Sequence, residues 1–127
     1  VIDNTASDTP EEANQPYNVS DNLTSTRWAC EGECWLQLDL GSVKNVDAVA
    51  LSFMKGNERS YNFDILVSND AQIWTKVLSD VKTSSKTEDL ELYNFDKTYS
   101  ARYVRYVGYG NDKNSWNSVT EFAALEK

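Results

Sequence analysis

The chain has 127 residues, of which 40% are hydrophobic and 12% aromatic, which is enough apolar material for one domain with its own core and more than a disordered chain carries. Twelve Lys and Arg against twenty Asp and Glu give a net charge of −8. This charge argues against a role in binding nucleic acid or anionic membranes, because both depend on basic surface. No stretch reaches the roughly 18 apolar residues of a membrane span, and no signal peptide opens the chain. We therefore expect a mature or excised module with a single domain over residues 1–127.

The predicted elements are short β-strands separated by polar turns, and no segment longer than a turn keeps helical periodicity. Residues 1–20 contain both prolines and predict irregular structure with one short strand at most. The predicted strands that follow are Trp35–Leu40, Val46–Phe53, Tyr61–Ser68, Ile73–Leu78, Glu88–Phe95, Ala101–Tyr109 and Val119–Leu125. Seven or eight strands at a spacing of roughly 8–12 residues are typical of a β-sandwich or barrel.

The segment from Asp21 to Cys34 is polar, lacks regular periodicity, and ends in the only two cysteines of the chain. Cys30 and Cys34, with no histidine beside them, are too few ligands for a zinc site, so we expect a disulfide and a secreted or periplasmic protein. The alternative, two reduced buried thiols, fits poorly beside Glu31 and Glu33. A ring this small removes only about 2 kcal/mol of unfolded-chain entropy, so its expected role is to fix the shape of the loop.

Catalytic motifs are absent from the sequence. The chain has no histidine, no Gly-x-Ser-x-Gly, no His-Glu-x-x-His, no phosphate-binding loop and no dinucleotide fingerprint. Its carboxylates could supply a pair for glycoside cleavage, but the sequence does not place two of them at the separation which that reaction needs. We therefore expect a protein that is not an enzyme.

Four motifs in succession carry a resemblance to a known family. In order they are Asp21–Trp28, Trp35–Gly41, Phe63–Trp74 and Ala101–Val107. Together they resemble the landmarks of a discoidin or F5/8 type C domain over nearly the whole chain. Within that group the chain is most similar to the family 32 carbohydrate-binding modules. The segments Lys55–Arg59 and Tyr109–Glu121 resemble those of modules attached to alginate lyases.

The resemblance implies an all-β, jelly-roll-like sandwich of about eight antiparallel strands, with a structural Ca²⁺ near the ligand-binding loops. Calcium takes about six to eight hard oxygen ligands, and an irregular loop can supply several of them as carbonyls. The alternative is that Asp21 and Thr26 are ordinary turn and cap residues. The implied ligands are the Asp21 carboxylate, the Thr26 hydroxyl and carbonyl, the Glu121 carboxylate, and backbone carbonyls near Asn18, Leu23 and Thr120.

Recognition of an acidic sugar needs aromatic faces for the ring, amides for hydroxyl groups and cations for the carboxylate. The resemblance places the ligand site on loops that hold such groups here, namely Ala29–Cys34, Lys55–Ser60 and Tyr109–Asn117. Galactose-binding members carry a His and a second aromatic where this chain has Ala29 and Gly32, which disfavours galactose. The candidate sugar-binding residues are Glu31, Lys55, Asn57, Glu58, Arg59, Tyr109, Asn111, Asn114, Trp116 and Asn117.

Within this set, Lys55 and Arg59 are the expected carboxylate ligands, and Arg is preferred because its planar fork can donate two parallel hydrogen bonds. The alternative is that both simply pair with Glu58 on a solvated surface, where such pairs contribute about 0–1 kcal/mol. Tyr109 and Trp116 are the expected stacking residues, although Trp116 could instead close the end of the sandwich. The packing residues expected elsewhere are Trp28, Trp35, Trp74, Arg102 and Arg105.

The sequence thus predicts a non-catalytic, monomeric carbohydrate-binding module from a secreted bacterial protein. It would hold a covalently linked lyase, acting on alginate, near acidic polysaccharide or its oligosaccharides, with no nucleic acid or membrane partner. The charge of −8 weakens long-range attraction to a polyanion, but a local basic patch can still act within a Debye length of about 8 Å. The alternatives are a module for neutral galactosides or other wall glycans, and a discoidin-type adhesion or spacer domain.

Overall fold

The computed structural model of the chain describes residues 3–6 and 27–126, and the secondary structure of these residues consists of β-strands and turns. Every strand pairing among them is antiparallel. The strands are β1 (Asp3–Ala6), β2 (Trp28–Glu31), β3 (Cys34–Phe53), β4 (Tyr61–Ser68), β5 (Thr75–Lys82), β6 (Glu91–Asn111) and β7 (Trp116–Leu125). The predicted all-β antiparallel fold is confirmed. In the part of the chain so described, no helix is long and apolar enough to cross a membrane.

β3 is where the strand prediction and the structure differ most. The sequence predicts two strands, Trp35–Leu40 and Val46–Phe53, with a turn at Gly41-Ser42, whereas the backbone continues as one bent strand. The register of β3 against β6 shifts between Asp39 and Lys44, which is the place where the turn was expected. Irregularities of this kind bend a strand without ending it, so the turn residues mark a corner inside β3.

β6 likewise joins two predicted strands, Glu88–Phe95 and Ala101–Tyr109, into a single strand of 21 residues. Its first half pairs with the second half of β3, and its second half pairs with the first half of β3 and with β4. Each of these two long strands passes from one layer to the other and so replaces two predicted strands. The described residues therefore hold seven strands, where the resemblance implies about eight.

Two layers result from these pairings. One layer contains β1, the first half of β3, the second half of β6, β4 and β5, and the other contains β2, β7, the second half of β3 and the first half of β6. β7, predicted to begin at Val119, already begins at Trp116, because β2 pairs with this segment and places Glu31 opposite Trp116. The strands therefore form a sandwich in which β3 and β6 belong to both sheets.

The strand predicted at Ile73–Leu78 begins instead at Thr75, because a turn occupies the preceding residues. The Asp70 carboxylate accepts hydrogen bonds from the N–H groups of Gln72 and Ile73 at 2.9 and 3.0 Å. Asx turns of this kind satisfy backbone donors locally and keep the chain out of the sheet ladder.

Aromatic side chains from both layers fill the core. Tyr61 stacks on Phe53 with 4.4 Å between ring centroids, and Tyr106 stacks on Phe63 at 5.1 Å and meets the edge of Phe122 at 6.3 Å. All five are buried. Complete burial raises the pKa of the Tyr106 hydroxyl well above its ordinary value. The core thus joins β3, β4, β6 and β7 through contacts between rings.

The outer face of the β1-containing sheet carries a stack of three side chains. The guanidinium of Arg105 lies 4.0 Å from the ring centroid of Trp35 and 4.2 Å from that of Trp74. Its Nε and Nη2 groups donate to Gln37 Oε1 at 3.1 and 2.8 Å. Partial burial lowers the pKa of Arg105 from its ordinary value. The predicted packing role of these residues therefore takes the form of a cation–π stack across the sheet.

Phe63→Ala should lower the free energy of unfolding by about 3–5 kcal/mol, because it removes a fully buried ring that contacts Phe53, Tyr93 and Tyr106. Urea denaturation of the variant beside the parent protein measures the change. Ile73→Ala is the control, since Ile73 is 78% exposed and its replacement should change stability by less than about 0.5 kcal/mol. Equal losses in the two variants would contradict the core assignment.

Candidate functional site

At the end of the sandwich where β2 meets β3 lies a pocket of about 200 Å³ that we call the arginine pocket. It is lined by Arg27, Ala29, Met54, Arg59, Asn114, Trp116 and Ser118. Three of the ten candidate residues from the sequence therefore come together in one cavity. The pocket adds a second guanidinium, that of Arg27, which the sequence analysis did not single out.

Arg59 is held in place by the turn that precedes it and by a buried tyrosine. Its N–H donates to the carbonyl of Lys55 at 3.0 Å, and its Nη1 group lies 3.4 Å from the Tyr61 hydroxyl oxygen. The Tyr61 hydroxyl in turn donates to the carbonyl of Met54 at 2.6 Å. Burial raises the pKa of Tyr61, although the nearby charges of Arg59 and Arg27 act in the opposite direction. The hydroxyl therefore stays neutral and serves as a fixed support for the guanidinium.

The other residues of the Lys55–Arg59 turn do not line the arginine pocket. Lys55, Asn57 and Glu58 are exposed, so the expected use of Lys55 as a carboxylate ligand has no support from its position. Gly56 is buried, and a Cβ there would lie 2.5 Å from the carbonyl oxygen of Thr87. The turn is thus packed closely against the backbone of a neighbouring segment.

The loop predicted at Tyr109–Asn117 is shorter in the structure, where it connects the end of β6 to the start of β7. Asn111 organises it, because its Oδ1 accepts the N–H groups of Lys113 and Asn114 at 2.9 and 3.1 Å and its Nδ2 donates to the carbonyl of Trp116 at 2.8 Å. Asn114 Oδ1 accepts the Trp116 N–H at 2.9 Å. Asn111 therefore shapes the loop, while Asn114 and Trp116 line the arginine pocket.

Asn117 is fully buried and is not a sugar contact, which corrects the prediction made for it. Its Nδ2 donates to the carbonyls of Cys30 and Gly32 at 3.1 and 2.7 Å, and its Oδ1 accepts the N–H of Gly110 at 2.9 Å. One amide thus joins three segments of the site: the β2–β3 turn, the end of β6 and the start of β7.

The predicted disulfide between Cys30 and Cys34 is confirmed, and it closes the turn between β2 and β3. Gly32 at its centre has a φ of 87°, a left-handed conformation that glycine adopts without strain. Its N–H donates to the carbonyl of Ser115 at 2.7 Å, and the Ser115 hydroxyl donates to Glu31 at 3.2 Å. Glu31 is exposed and does not line the arginine pocket, so its observed contact is with the neighbouring loop.

Tyr109 and Asn111 line a different cavity, of about 220 Å³, which we call the tyrosine pocket. Its lining residues are Ser60, Asn62, Lys82, Tyr109, Asn111 and Asp112. The two predicted stacking residues are therefore separated, with Trp116 in the arginine pocket and Tyr109 in the tyrosine pocket. The alternation of side chains along β6 explains this, because Tyr109 follows the outward positions of the strand.

The Tyr109 hydroxyl donates to the buried Asp64 carboxylate at 2.7 Å, which raises the pKa of Tyr109 to about 12. Burial alone would raise the pKa of Asp64, but the hydrogen bonds that it accepts lower the pKa below its ordinary value. These bonds come from the Asp80 N–H at 2.7 Å and from Tyr109, with Lys76 Nζ at 3.3 Å. The pair is therefore a neutral phenol bound to an ionised carboxylate.

A larger cavity, of about 550 Å³, lies near the corner of β3 and the end of β7, away from both pockets. Its lining residues are Leu40, Val43, Lys44, Asn45, Val46, Ala123, Ala124, Leu125 and Glu126. It contains no aromatic side chain and no arginine. It therefore lacks the stacking surface and the carboxylate fork that recognition of an acidic sugar requires.

Of the implied calcium ligands, only Thr120 and Glu121 are among the described residues; Asn18, Asp21, Leu23 and Thr26 lie outside them. The Thr120 hydroxyl is buried and lies 2.6 Å from that of Ser52, so what Thr120 can offer a cation is its carbonyl, as the resemblance implies. Glu121 is partly buried in β7 opposite Ser52. These positions do not test the implied roles, so the ion and its ligands stay a prediction.

Comparison with known proteins places this site in a family. The chain matches the model of the F5/8 type C domain over residues 3–122. It is similar to the solved structure of the CBM32 module of AlyQ in complex with 4,5-unsaturated mannuronic acid, with a TM-score of 0.94 and 36% identity over 100% of this chain and 96% of that one. A pectin-binding carbohydrate-binding module gives a TM-score of 0.94 and 31% identity, with 99% and 91% of the two chains covered.

Truncated AlyQ, with CBM32 and alginate lyase domains, is 37% identical with a TM-score of 0.89, and the match covers 100% of this chain and 33% of that one. Comparison with curated proteins gave no significant match. The chain belongs to the F5/8 type C domain family, and within it is a carbohydrate-binding module of the CBM32 type.

Asn117→Ala should destabilise the protein by at least about 2 kcal/mol, because it leaves the buried Cys30 carbonyl, the buried Gly110 N–H and the partly buried Gly32 carbonyl without their partner. Thermal unfolding followed by circular dichroism measures the loss. Asn57→Ala is the matched control, since Asn57 is exposed on the neighbouring turn and its replacement should leave the melting temperature within about a degree or two. An unchanged melting temperature in Asn117→Ala would contradict the role given to this amide.

Proposed function

We propose that the chain is a non-catalytic module that binds an acidic sugar of the uronate class in the arginine pocket. The observation that carries the proposal is the lining of this one cavity by two arginines, a tryptophan and an amide, on a chain whose net charge is −8. A cavity of about 200 Å³ suits a small ligand such as one sugar ring with its substituents. The bound mannuronic acid and the pectin named for two similar modules support an acidic ligand.

The chemistry of recognition follows from the lining residues. Arg59, supported by the Tyr61 hydroxyl, presents its fork to the sugar carboxylate, and two parallel charge-assisted hydrogen bonds fix the carboxylate in plane. Arg27 lines the same pocket and adds a second positive charge where solvent is partly excluded, which strengthens the attraction. Trp116 packs on the C–H face of the ring, and the Asn114 amide donates to a hydroxyl group.

In its full-length protein, we propose, the module holds a linked polysaccharide lyase near alginate or its oligosaccharides. The domain pairing in truncated AlyQ supports this, since a similar module there shares a chain with an alginate lyase domain. Tethering raises the effective concentration of the catalytic domain at its substrate without any new contact. The Cys30–Cys34 disulfide supports a secreted protein, because disulfides persist in oxidising compartments.

Arg59→Ala should weaken binding of oligouronates about 10- to 150-fold, which corresponds to the roughly 1.5–3 kcal/mol of a charge-assisted hydrogen bond. Calorimetric titration of alginate oligosaccharides in calcium buffer measures the affinity. Arg59→Lys keeps the charge but loses the fork, so it should recover only part of the affinity. Lys55→Ala is the control, because Lys55 is exposed outside the pocket, and it should bind as the parent does.

Galactose and agar oligosaccharides complete the same experiment. Saturable heat with these neutral sugars, and none with oligouronates, would overturn the assignment of an acidic ligand and favour a module for neutral glycans. Unchanged affinity in Arg59→Ala would remove the arginine pocket from the binding site.

We also propose that Glu121 and the Thr120 carbonyl, with Asn18, Asp21, Leu23 and Thr26, hold a structural Ca²⁺. Such an ion stabilises the fold, because a ligand at 100 times its dissociation constant adds about 2.7 kcal/mol to the free energy of unfolding. It would also tie the segment that contains Asp21 and Thr26 to β7. EDTA should therefore lower the melting temperature, and added calcium should restore it. In Glu121→Gln the effect of EDTA should be much smaller. Identical melting curves of the parent with and without EDTA would contradict the site.

A further inference from the structure

The tyrosine pocket and the arginine pocket are lined by neighbouring residues, as two observations show. Arg59 and Ser60 are consecutive residues, yet Arg59 lines the first cavity and Ser60 lines the second. Asn111 Nδ2 in the tyrosine pocket donates to Asn114 Oδ1 in the arginine pocket at 2.9 Å. The two linings are therefore adjacent in the chain and joined by a hydrogen bond.

Two backbone segments that line the cavities are fixed to each other. The Ser60 N–H donates to Asp112 Oδ1 at 2.9 Å, and the Asp112 N–H donates to the Ser60 carbonyl at 3.0 Å. These reciprocal bonds clamp the turn that carries Arg59 to the loop that carries Asn114 and Trp116. The relative position of the two pockets is thus set in the free protein, so a ligand does not have to order it on binding.

Tyr109 provides the tyrosine pocket with an aromatic surface. Its side chain is 42% exposed, while its hydroxyl is bound to Asp64, which is only 5% exposed. Asp64 is itself held by the Asp80 N–H at 2.7 Å and by Lys76 Nζ at 3.3 Å. The ring is therefore anchored at its buried end and open along the rest of its length. An aromatic fixed in this way gives up little rotamer freedom when a sugar packs on it.

The polar groups around Tyr109 suit a sugar that carries both hydroxyls and a carboxylate. Asp112 can accept hydrogen bonds from hydroxyl groups, and Lys82 supplies a cation. Lys82 Nζ lies 3.2 Å from Asp80 in an exposed pair, in which both side chains keep more than half of their surface in solvent. Such a pair exchanges readily, because exposed ion pairs contribute little. Lys82 is therefore available to a carboxylate at small cost.

We infer that the tyrosine pocket is a second subsite, which holds the adjacent uronate ring of an oligosaccharide whose first ring occupies the arginine pocket. The inference rests on the proposed function, since it requires the arginine pocket to take the first ring. A second subsite predicts that affinity depends on ligand length, whereas binding in a single pocket predicts no such dependence.

The test compares one mannuronate unit with di-, tri- and tetramannuronate by calorimetric titration. For the parent protein, affinity should rise up to about tenfold between the single unit and the longer ligands, the range expected for one aromatic contact. Tyr109→Ala should keep the affinity for the single unit and lose most of this rise. Tyr109→Phe, which also loses the bond to Asp64 but keeps the ring, should retain the rise.

Lys82→Ala is a second test that does not depend on whether Tyr109→Ala folds. Because Lys82 is exposed to solvent, its replacement should leave the fold intact. It should reduce the rise with length and leave the affinity for the single unit unchanged. Length-independent affinity in the parent, or a full rise in Tyr109→Ala or in Lys82→Ala, would overturn the second subsite. If the single unit binds and Arg59→Ala abolishes this, the proposed function stands whatever the length series shows. If Arg59→Ala binds the single unit as tightly as the parent protein does, the proposed function is wrong, and the second subsite that rests on it is wrong as well.

Discussion

The three hydrogen bonds of the Asn117 side chain hold together the end of the sandwich that carries the pockets. The amide is completely buried, and its donors reach the carbonyls of Cys30 and Gly32, 87 and 85 residues earlier in the chain. Its oxygen accepts the N–H of Gly110, which turns the chain at the end of β6. Because the amide itself and its bonds to Cys30 and Gly110 are buried, breaking them would leave polar groups unpaired in the interior, so these bonds hold the three segments together beside Trp116.

The electrostatics of the arginine pocket depend on where individual charged side chains lie and not on the net charge of the chain. The chain carries −8, yet two guanidinium groups line one cavity of about 200 Å³. Arg59 rests against the Tyr61 hydroxyl, whose pKa burial raises so that it does not ionise beside the cation. Local charges act over short distances, since screening acts over about 8 Å at physiological salt, so the net charge of the chain does not decide what this cavity attracts.

The β-sandwich is a rigid support for the loops that line the two pockets. β3 and β6 pass through both layers, so the two sheets cannot slide independently. On the outer face, Arg105 between Trp35 and Trp74 ties β3, β6 and the start of β5 together without using the core. Both cavities open beside strands that are fixed in this way. A module built on such a scaffold can bind with little rearrangement, which offsets the small area of contact that a short sugar offers.

The sequence by itself determined the all-β class, the disulfide and the family, because alternation, cysteine spacing and motif order are properties of neighbouring residues. It also selected Arg59, Asn114 and Trp116 as candidate site residues, and these three line one cavity in the structure. Only the tertiary structure decided that Arg27 joins them, that Asn117 lies in the interior, and that the two stacking residues occupy different pockets. The physical reason is that strand register and the bends within β3 and β6, which arise from contacts between distant residues, decide which face each loop side chain reaches.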